Sequence, residues 1–273
     1  MSMRVAVTGL NAAQTELSTI ANNIANASTT GFKMARTEFA DLVPSDASGR
    51  TAGSGVRVTG VVQQMKQGGL EYTGNTLDLA INGGGFFVLE NAGSADTYTR
   101  AGNFRLDKDG YVATGTGERL KFFPGAATSG TTATLQANLP KQVITDPSTT
   151  PPTTVDYPVT RLEFDTSGAL RATYANGDID TLGTVALATF PTASNLSQLG
   201  GTQWGATGTS GAATVAAPGT GERGLIESGA LETSNVEITE QLVDMITAQR
   251  NFQANAKTIS TMDQVAQAVL NIR

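Results

Sequence analysis

Apolar residues recur every three to four positions at both ends of the chain, and in short β-branched or aromatic runs through its middle. From the start, Met3, Val7, Leu10, Leu17, Ala21 and Ile24 form a heptad stripe with Gln14 as its one polar member, which predicts a helix contacting a partner along one face. The helix is expected to end near Ser28-Thr29-Thr30-Gly31, where residues of low helix propensity meet a glycine suited to a left-handed C-terminal cap. At the other end Ser234-Asn235 offers an N-cap, and Glu237 and Glu240 favour the positive pole of the helix that follows. Ile238, Leu242, Met245, Phe252, Ala256 and Ile259 repeat the stripe, with Gln249 in the seam. The phase slips afterwards to Met262, Val265, Val269 and Ile272, within one helix expected to run to the last residue.

Between the helices, turn-forming residues bracket the runs Leu77–Ile81, Gly85–Leu89, Tyr98–Arg100, Asn103–Leu106, Arg161–Phe164 and Thr184–Phe190, all of which read as strands. Asp109-Gly110, Ser167-Gly168 and Asn176-Gly177 supply turns with positive φ. The class expected is α+β: terminal N- and C-helices pairing as a coiled coil, with an all-β body of Gly/Thr-rich antiparallel strands between them. The expected boundaries are residues 1–30 and 234–273 for the helical domain, 31–72 for an extended connecting segment, and 73–137 with 159–233 for the β domain. Residues 138–158 read as a Pro/Thr-rich loop.

Composition narrows the chemistry. The 273 residues hold 24 acidic and 18 basic side chains, a net charge of −6, with no histidine and no cysteine. That excludes Ser-His-Asp and Cys-His triads, thiolate zinc sites and disulfide frameworks. The acidic balance, without a basic stripe, argues against nucleic acid as a partner. Only 15% of residues are charged, and the non-stripe faces of both helices carry Thr, Asn, Gln, Ala and Ser where a solvated face carries Lys and Glu. Such faces fit helices that pair with each other and then pack against copies of themselves, although helices covering a sheet of the same chain would also fit.

The remaining motifs read as structural. Asp107-Lys108-Asp109-Gly110 begins like a calcium loop but lacks its downstream ligand pattern, so it reads as a hairpin turn. Gly83-Gly84-Gly85 precedes a strand and not a helix, which removes a phosphate cradle and leaves a tight hairpin or bulge. The pairs Asp78/Glu90 and Glu163/Asp165 have nothing to bring them into one cleft. Trp204 reads as a packing anchor. No catalytic, cofactor-binding or metal-ligating set emerges, no small-molecule substrate is implied, and no apolar stretch is long enough to span a bilayer.

Three sets of residues together resemble the bacterial flagellar rod and hook proteins. One is Leu17–Lys33, containing Asn22, Asn23, Asn26, Gly31 and Phe32. The second is Gly229–Val236, containing Ser234 and Asn235, followed by Glu240–Ile246. The third is Leu79–Phe87 with Tyr98–Phe104. Within that family Ala248–Ile259 is most similar to the hook branch. The resemblance implies a non-enzymatic, self-assembling subunit of the curved hook tube, with the straight distal rod as the alternative, and residues 138–158 at the position where longer relatives insert an outer domain. It also implies homo-oligomerisation as a helical polymer through the terminal-helix stripes. Further implied partners are a distal rod protein, hook cap and hook-filament junction proteins, and the flagellar type III export apparatus. Export without a cleaved signal peptide places the expected product in the hook or basal body. Phe39-Ala40-Asp41-Leu42-Val43 resembles a short export motif carried by Phe39 and Val43, although those two at i, i+4 would also suit simple packing.

Overall fold

A computed structural model describes residues 2–42, 53–91, 95–125, 127–146 and 153–271, which divide into two compact units. The first comprises residues 1–28, 33–65 and 235–273. Its elements are α1 (Ser2–Ala25), β1 (Ala35–Asp41), β2 (Val56–Gln63) and, after the second unit, α2 (Ile238–Leu270). Asn23 meets Gln241 and Gly9 meets Asn255, so the helices run antiparallel. The strands β1 and β2 form an antiparallel hairpin whose register shifts at Glu38/Phe39. The hairpin lies against α1, where Thr37 donates to Thr19 (3.0 Å) and the Val56 amide donates to the Thr8 hydroxyl (3.3 Å).

Residues 29–32 and 66–234 form the second unit, an all-β body. Its first strands are β3 (Leu70–Tyr72), β4 (Leu79–Asn82), β5 (Phe86–Glu90), β6 (Thr97–Thr99), β7 (Arg105–Leu106), β8 (Val112–Ala113), β9 (Arg119–Pro124) and β10 (Ala133–Thr134). A hairpin of β11 (Lys141–Asp146) and β12 (Thr153–Tyr157) precedes the meander β13 (Val159–Phe164), β14 (Ala169–Tyr174) and β15 (Ile179–Val185). There follow β16 (Leu187–Thr189), β17 (Ser197–Gly200), β18 (Gln203–Gly205), β19 (Thr214–Ala216), β20 (Leu225–Ser228) and β21 (Ala230–Glu232). The main path of the large sheet runs β13-β14-β15-β9-β5-β6-β18-β17, antiparallel at each step. Two-stranded ladders join β4 to β20 and β3 to β21.

The centre of the body is β5, whose Phe86-Phe87-Val88-Leu89 run is buried throughout because both faces are covered. Phe87 meets Phe104 edge-on at 5.2 Å within a core that includes Leu79, Ile81, Leu120, Phe122, Leu170 and Leu187. Phe86 meets Trp204 (5.6 Å) and Phe190 (6.1 Å), so Trp204 is the packing anchor its sequence context implies. Gly110, Gly168 and Gly177 hold φ of +81°, +75° and +89° at the three expected turns.

Terminal helices at the two ends of a chain whose middle is mostly antiparallel sheet agree with the α+β expectation, but the boundaries differ. Within the expected connector at 31–72, residues 35–41 and 56–63 pair as a hairpin in the helical unit, because Val56, Val58 and Val62 alternate with Arg57, Thr59 and Val61 and lay one face toward α1; residues 43–52 lie outside the described set. Part of the expected loop at 138–158 is the β11–β12 hairpin, for which Gln142–Thr145 and Thr153–Tyr157 supply β-branched and aromatic residues; residues 147–152 lie outside the described set. Gly83-Gly84-Gly85 closes no hairpin. It carries the chain from β4, paired with β20, to β5, while the Gly224 amide donates to the Gly84 carbonyl at 2.8 Å. The helix α2 starts later than Ser234-Asn235 predicts: Glu237 is its extended N-cap residue and makes no side-chain cap. Phe87→Ala is expected to destabilise the body by about 3–5 kcal/mol, seen as a lower urea midpoint with unchanged m-value.

Candidate functional site

Two places concentrate the residues that the sequence singles out. The first lies in the helical unit, where two asparagines fasten the start of β1. Asn23, buried, accepts from the Ala35 amide (2.9 Å) and donates to the Ala35 carbonyl (2.8 Å) and to Oε1 of Gln241 (2.8 Å). Asn235 accepts from the Met34 amide (2.7 Å) and donates to the Gln64 carbonyl (2.9 Å). Each amide side chain thus acts as a missing strand segment, satisfying backbone that no ladder reaches. This is why Asn235 does not cap α2. Asn26 instead folds back on α1, donating to the Asn22 carbonyl at 2.9 Å, while Asn22 itself is exposed.

The buried seam between α1 and α2 coincides with the expected stripe only in part. On α1 the buried residues are Ala6, Ala12, Ala13, Thr19, Ile20 and Asn23; Met3, Val7 and Ala21 are exposed, and Leu10, Leu17 and Ile24 only half-buried. A β-carbon at Gly9 would sit 2.9 Å from the Asn255 side chain, so the small residues of α1 set how closely its neighbours approach. On α2 the more buried positions are Gln241, Met245, Ala248, Phe252, Asn255, Ile259 and Met262. They keep an unbroken three-four spacing, without the slip expected after Ile259. Met245, Phe252 and Ile259 lie on this line with Ala256 beside it, whereas Ile238 and Leu242 are exposed. Ala248 is buried where the stripe has Gln249, which is exposed, and Gln241 enters the contact through its hydrogen bond with Asn23.

One electrostatic feature crosses this seam. Burial pushes the Glu16 carboxyl above its ordinary value, and the Asp244 carboxylate on α2 pushes it further. The two acids line a cleft of about 240 Å³ with Asn23, Arg36, Glu240 and Gln241. Periodicity alone gave no sign of this pair, since Glu16 lies off the apolar stripe.

The second place is a buried ion pair in the body. Arg100 donates from Nη1 to Oε2 of Glu232 at 3.1 Å, with side chains 5% and 0% exposed. Oε1 of Glu232 accepts from the Gly68 amide (2.9 Å), and its main-chain carbonyl accepts from the Gly31 amide (2.8 Å). Nη2 of Arg100 donates to the Gly83 carbonyl (2.9 Å). Burial pulls the guanidinium below its usual value while Glu232 holds its charge. Gly31 has φ of +69°, and a β-carbon there would lie 2.5 Å from the Ala101 nitrogen. Residues from all three sets of sequence motifs therefore meet here: Gly31, Gly83 with Arg100, and Glu232. Both charges stood inside those motifs, and a charged residue within otherwise apolar or threonine-rich strand sequence was the available signal for them.

Other sequence candidates are dispersed. Asp78 accepts from Thr73 (2.6 Å) and Asn75 (3.1 Å), Glu163 pairs with Arg161 (2.7 Å) and Asp165 with Arg171 (2.9 Å). Asp107 accepts from the Asp109 and Tyr111 amides as a turn residue. Among the described residues no group of three or more acidic side chains is placed to hold a metal ion, and no helix is long and apolar enough to cross a membrane. Phe39 is exposed on β1; Val43, its partner in the export-like motif, lies outside the described residues.

One unit of paired terminal helices, a second, all-β unit formed by the intervening sequence, and a polar junction within each define a structural class of protein. Comparison with known proteins gives that class its family. Residues 3–33 match the flagella basal body rod protein family, 80–172 the flagellar hook protein FlgE/F/G D1 domain, and 227–272 the flagellar basal body rod FlgEFG protein C-terminal region. The chain is 32% identical over 291 residues to the flagellar basal-body rod protein FlgG of Bacillus subtilis, covering all of this chain and 98% of that one. It is 35% identical over 284 residues to FlgG of Agrobacterium fabrum (98% and 97% covered). It is 29% identical over 410 residues to the flagellar hook protein FlgE of Salmonella typhimurium, with both chains covered in full. The chain belongs to the family of flagellar hook and rod structural proteins.

Removing one partner of the buried pair strands the other charge, so Glu232→Ala is expected to cost about 3–5 kcal/mol, with Arg100→Met/Glu232→Leu costing less than the sum of its single changes in chemical denaturation. For Glu16 the raised carboxyl means that ionisation opposes pairing. The penalty is absent below the ordinary value of 4.5 and complete once the pH exceeds the raised one. Glu16→Gln is therefore expected to raise the melting temperature of the helical unit at pH 7 and to leave it unchanged at pH 3, followed by helix circular dichroism.

Proposed function

We propose that this protein is a self-assembling structural subunit of the flagellar hook, the curved tube that transmits torque from rod to filament and encloses the export channel. The observation that carries the self-assembly part of the reading is the apolar surface turned outward on both terminal helices: Met3 and Val7 on α1, and Ile238, Leu242, Val243 and Ile246 on α2, all exposed. A lone chain leaves this surface in water, whereas a tube of copies covers it. Ala21 is also exposed and Leu10, Leu17 and Ile24 are half-buried, so the parts of the α1 stripe left uncovered by the subunit itself serve contacts between subunits.

In this reading the β bodies form the outer tube. Bending lengthens and shortens protofilaments on each turn, and polar Thr/Gly/Asn surfaces allow bodies to shift against one another through bridging water. The partners are further copies, a distal rod protein, hook cap and junction proteins, and the type III export apparatus, which moves the subunit outward without cleaving a signal peptide. Phe39 on β1 is available for that apparatus.

A second reading, the straight distal rod, is favoured by length. The alignments with FlgG span 291 and 284 residues against 410 with FlgE, close to the 273 of this chain. The hook reading rests on the similarity of Ala248–Ile259 to the hook branch. Overproduced polymers distinguish the two in electron micrographs: curved, flexible tubes are expected for a hook and straight ones for a rod. Deleting residues 262–273 is expected to abolish polymerisation in either case, and tubes of normal length from that variant would remove the terminal helix from the contact.

A further inference from the structure

The helix α2 carries two matched sets of charge. Glu237, at its N-cap, and Asp244 are seven residues apart; Arg250 and Lys257 are also seven apart. Seven residues is about two turns, so each set lines one face of the helix. All four side chains are exposed, and none makes an ion pair among the described residues. Each base follows its acid by the same interval, 250 − 237 and 257 − 244, which is thirteen residues or about 20 Å of helix. On α1 the charges follow the same polarity, with Glu16 facing Asp244 and Arg4 near the opposite end.

The helix pair is also uneven. Asn23 against Gln241 and Gly9 against Asn255 give a constant sum of 264, so Ser2 reaches the level of Met262 and residues 263–270 continue with no part of α1 beside them. Val265, Val269 and Leu270 on this overhang are 54%, 64% and 74% exposed. Among the described residues, this stretch of eight, about 12 Å of helix, thus extends past α1.

We infer that a second copy of this chain supplies a partner for that stretch through a staggered contact: α2 of one copy lies parallel to α2 of the next, displaced by thirteen residues, with Arg250 and Lys257 of the first facing Glu237 and Asp244 of the second. The inference rests on the polymer reading above and specifies its register. At zero displacement, identical parallel helices set Glu237, Asp244, Arg250 and Lys257 each level with its own copy, so no acid of these sets lies opposite a base. At thirteen, both acid–base pairs close together, and the overhang of the first copy lies along residues 250–257 of the second. Exposed pairs contribute little each and are screened beyond a Debye length of about 8 Å. Their part is to select the register, while the apolar residues supply the attraction.

The test uses the full chain, assembled from purified monomer and followed by sedimentation and electron microscopy. E237K/D244K and R250E/K257E are each expected to raise the concentration needed for assembly at least tenfold, and the four changes together are expected to restore it, since they rebuild both pairs with signs exchanged. Because the natural chain has no cysteine, D244C/K257C reports the contact directly: oxidation of its polymer is expected to yield a ladder of covalent oligomers on a non-reducing gel. If the unaltered chain polymerises while the charge reversals assemble normally, or the fourfold variant is no better than either half, or no ladder forms, the staggered contact is overturned and the polymer reading stands. If the unaltered chain stays monomeric under all assembly conditions, both fall.

Discussion

The Glu232 carboxylate is the constraint on which the β body closes. The chain enters the body near Gly31 and again near Gly68, and leaves it at β21, and all three places are fixed by one residue. Its carbonyl holds Gly31, one carboxylate oxygen holds Gly68, and the other holds Arg100. A charge buried this completely is tolerable only because each oxygen is met by a donor and because Arg100 delivers its second nitrogen to Gly83. An apolar residue at 232 would fill the volume but would leave the amide of Gly68 without its acceptor. The pair therefore specifies where strands β3, β4, β6 and β21 meet, a task that non-directional apolar contact performs poorly.

The helical unit solves a similar problem with neutral groups. Asn23 and Asn235 reach the backbone at the start of β1 and the end of β2, where the hairpin ladder stops and main-chain donors and acceptors would otherwise face apolar helix surface. Small residues at Ala6, Gly9, Ala12 and Ala13 then let α1 lie close to its neighbours, while Met3, Val5 and Val7 stay on the outside. Compactness inside the subunit and an apolar outer surface are two results of the same placement of small side chains.

Much of this was legible in the chain. The heptad spacing located both helices, the Gly-containing dipeptides located the turns at Gly110, Gly168 and Gly177, and the burial of β5 followed from its unbroken apolar run. What could not be read was which face of each helix turns inward. A stripe of Met, Val and Leu predicts burial against something, and sequence does not say whether that something lies in the same chain. Apart from Ile20, the inward face of α1 is built from Ala, Gly, Thr and Asn, whose weak hydrophobicity hides them from a periodicity analysis. The ion pair was hidden for a different reason. Arg100 and Glu232 are separated by 132 residues, and nothing local to either identifies its partner. Composition makes residues 31–72 read as a connector, because the glycines and serines between the strands outweigh the valine alternation of β2.

The unequal lengths of α1 and α2 bear on symmetry. A pair of helices flush at one end and overhanging at the other has two unlike ends, and a contact that joins one end to the other cannot be its own mate. Such a contact is heterologous: it does not close into a two-fold dimer, and it leaves an unused copy of each surface at the extremities of whatever it builds. Any stack made this way therefore has a direction, and its first and last members present chemically different faces to the proteins that start and finish it.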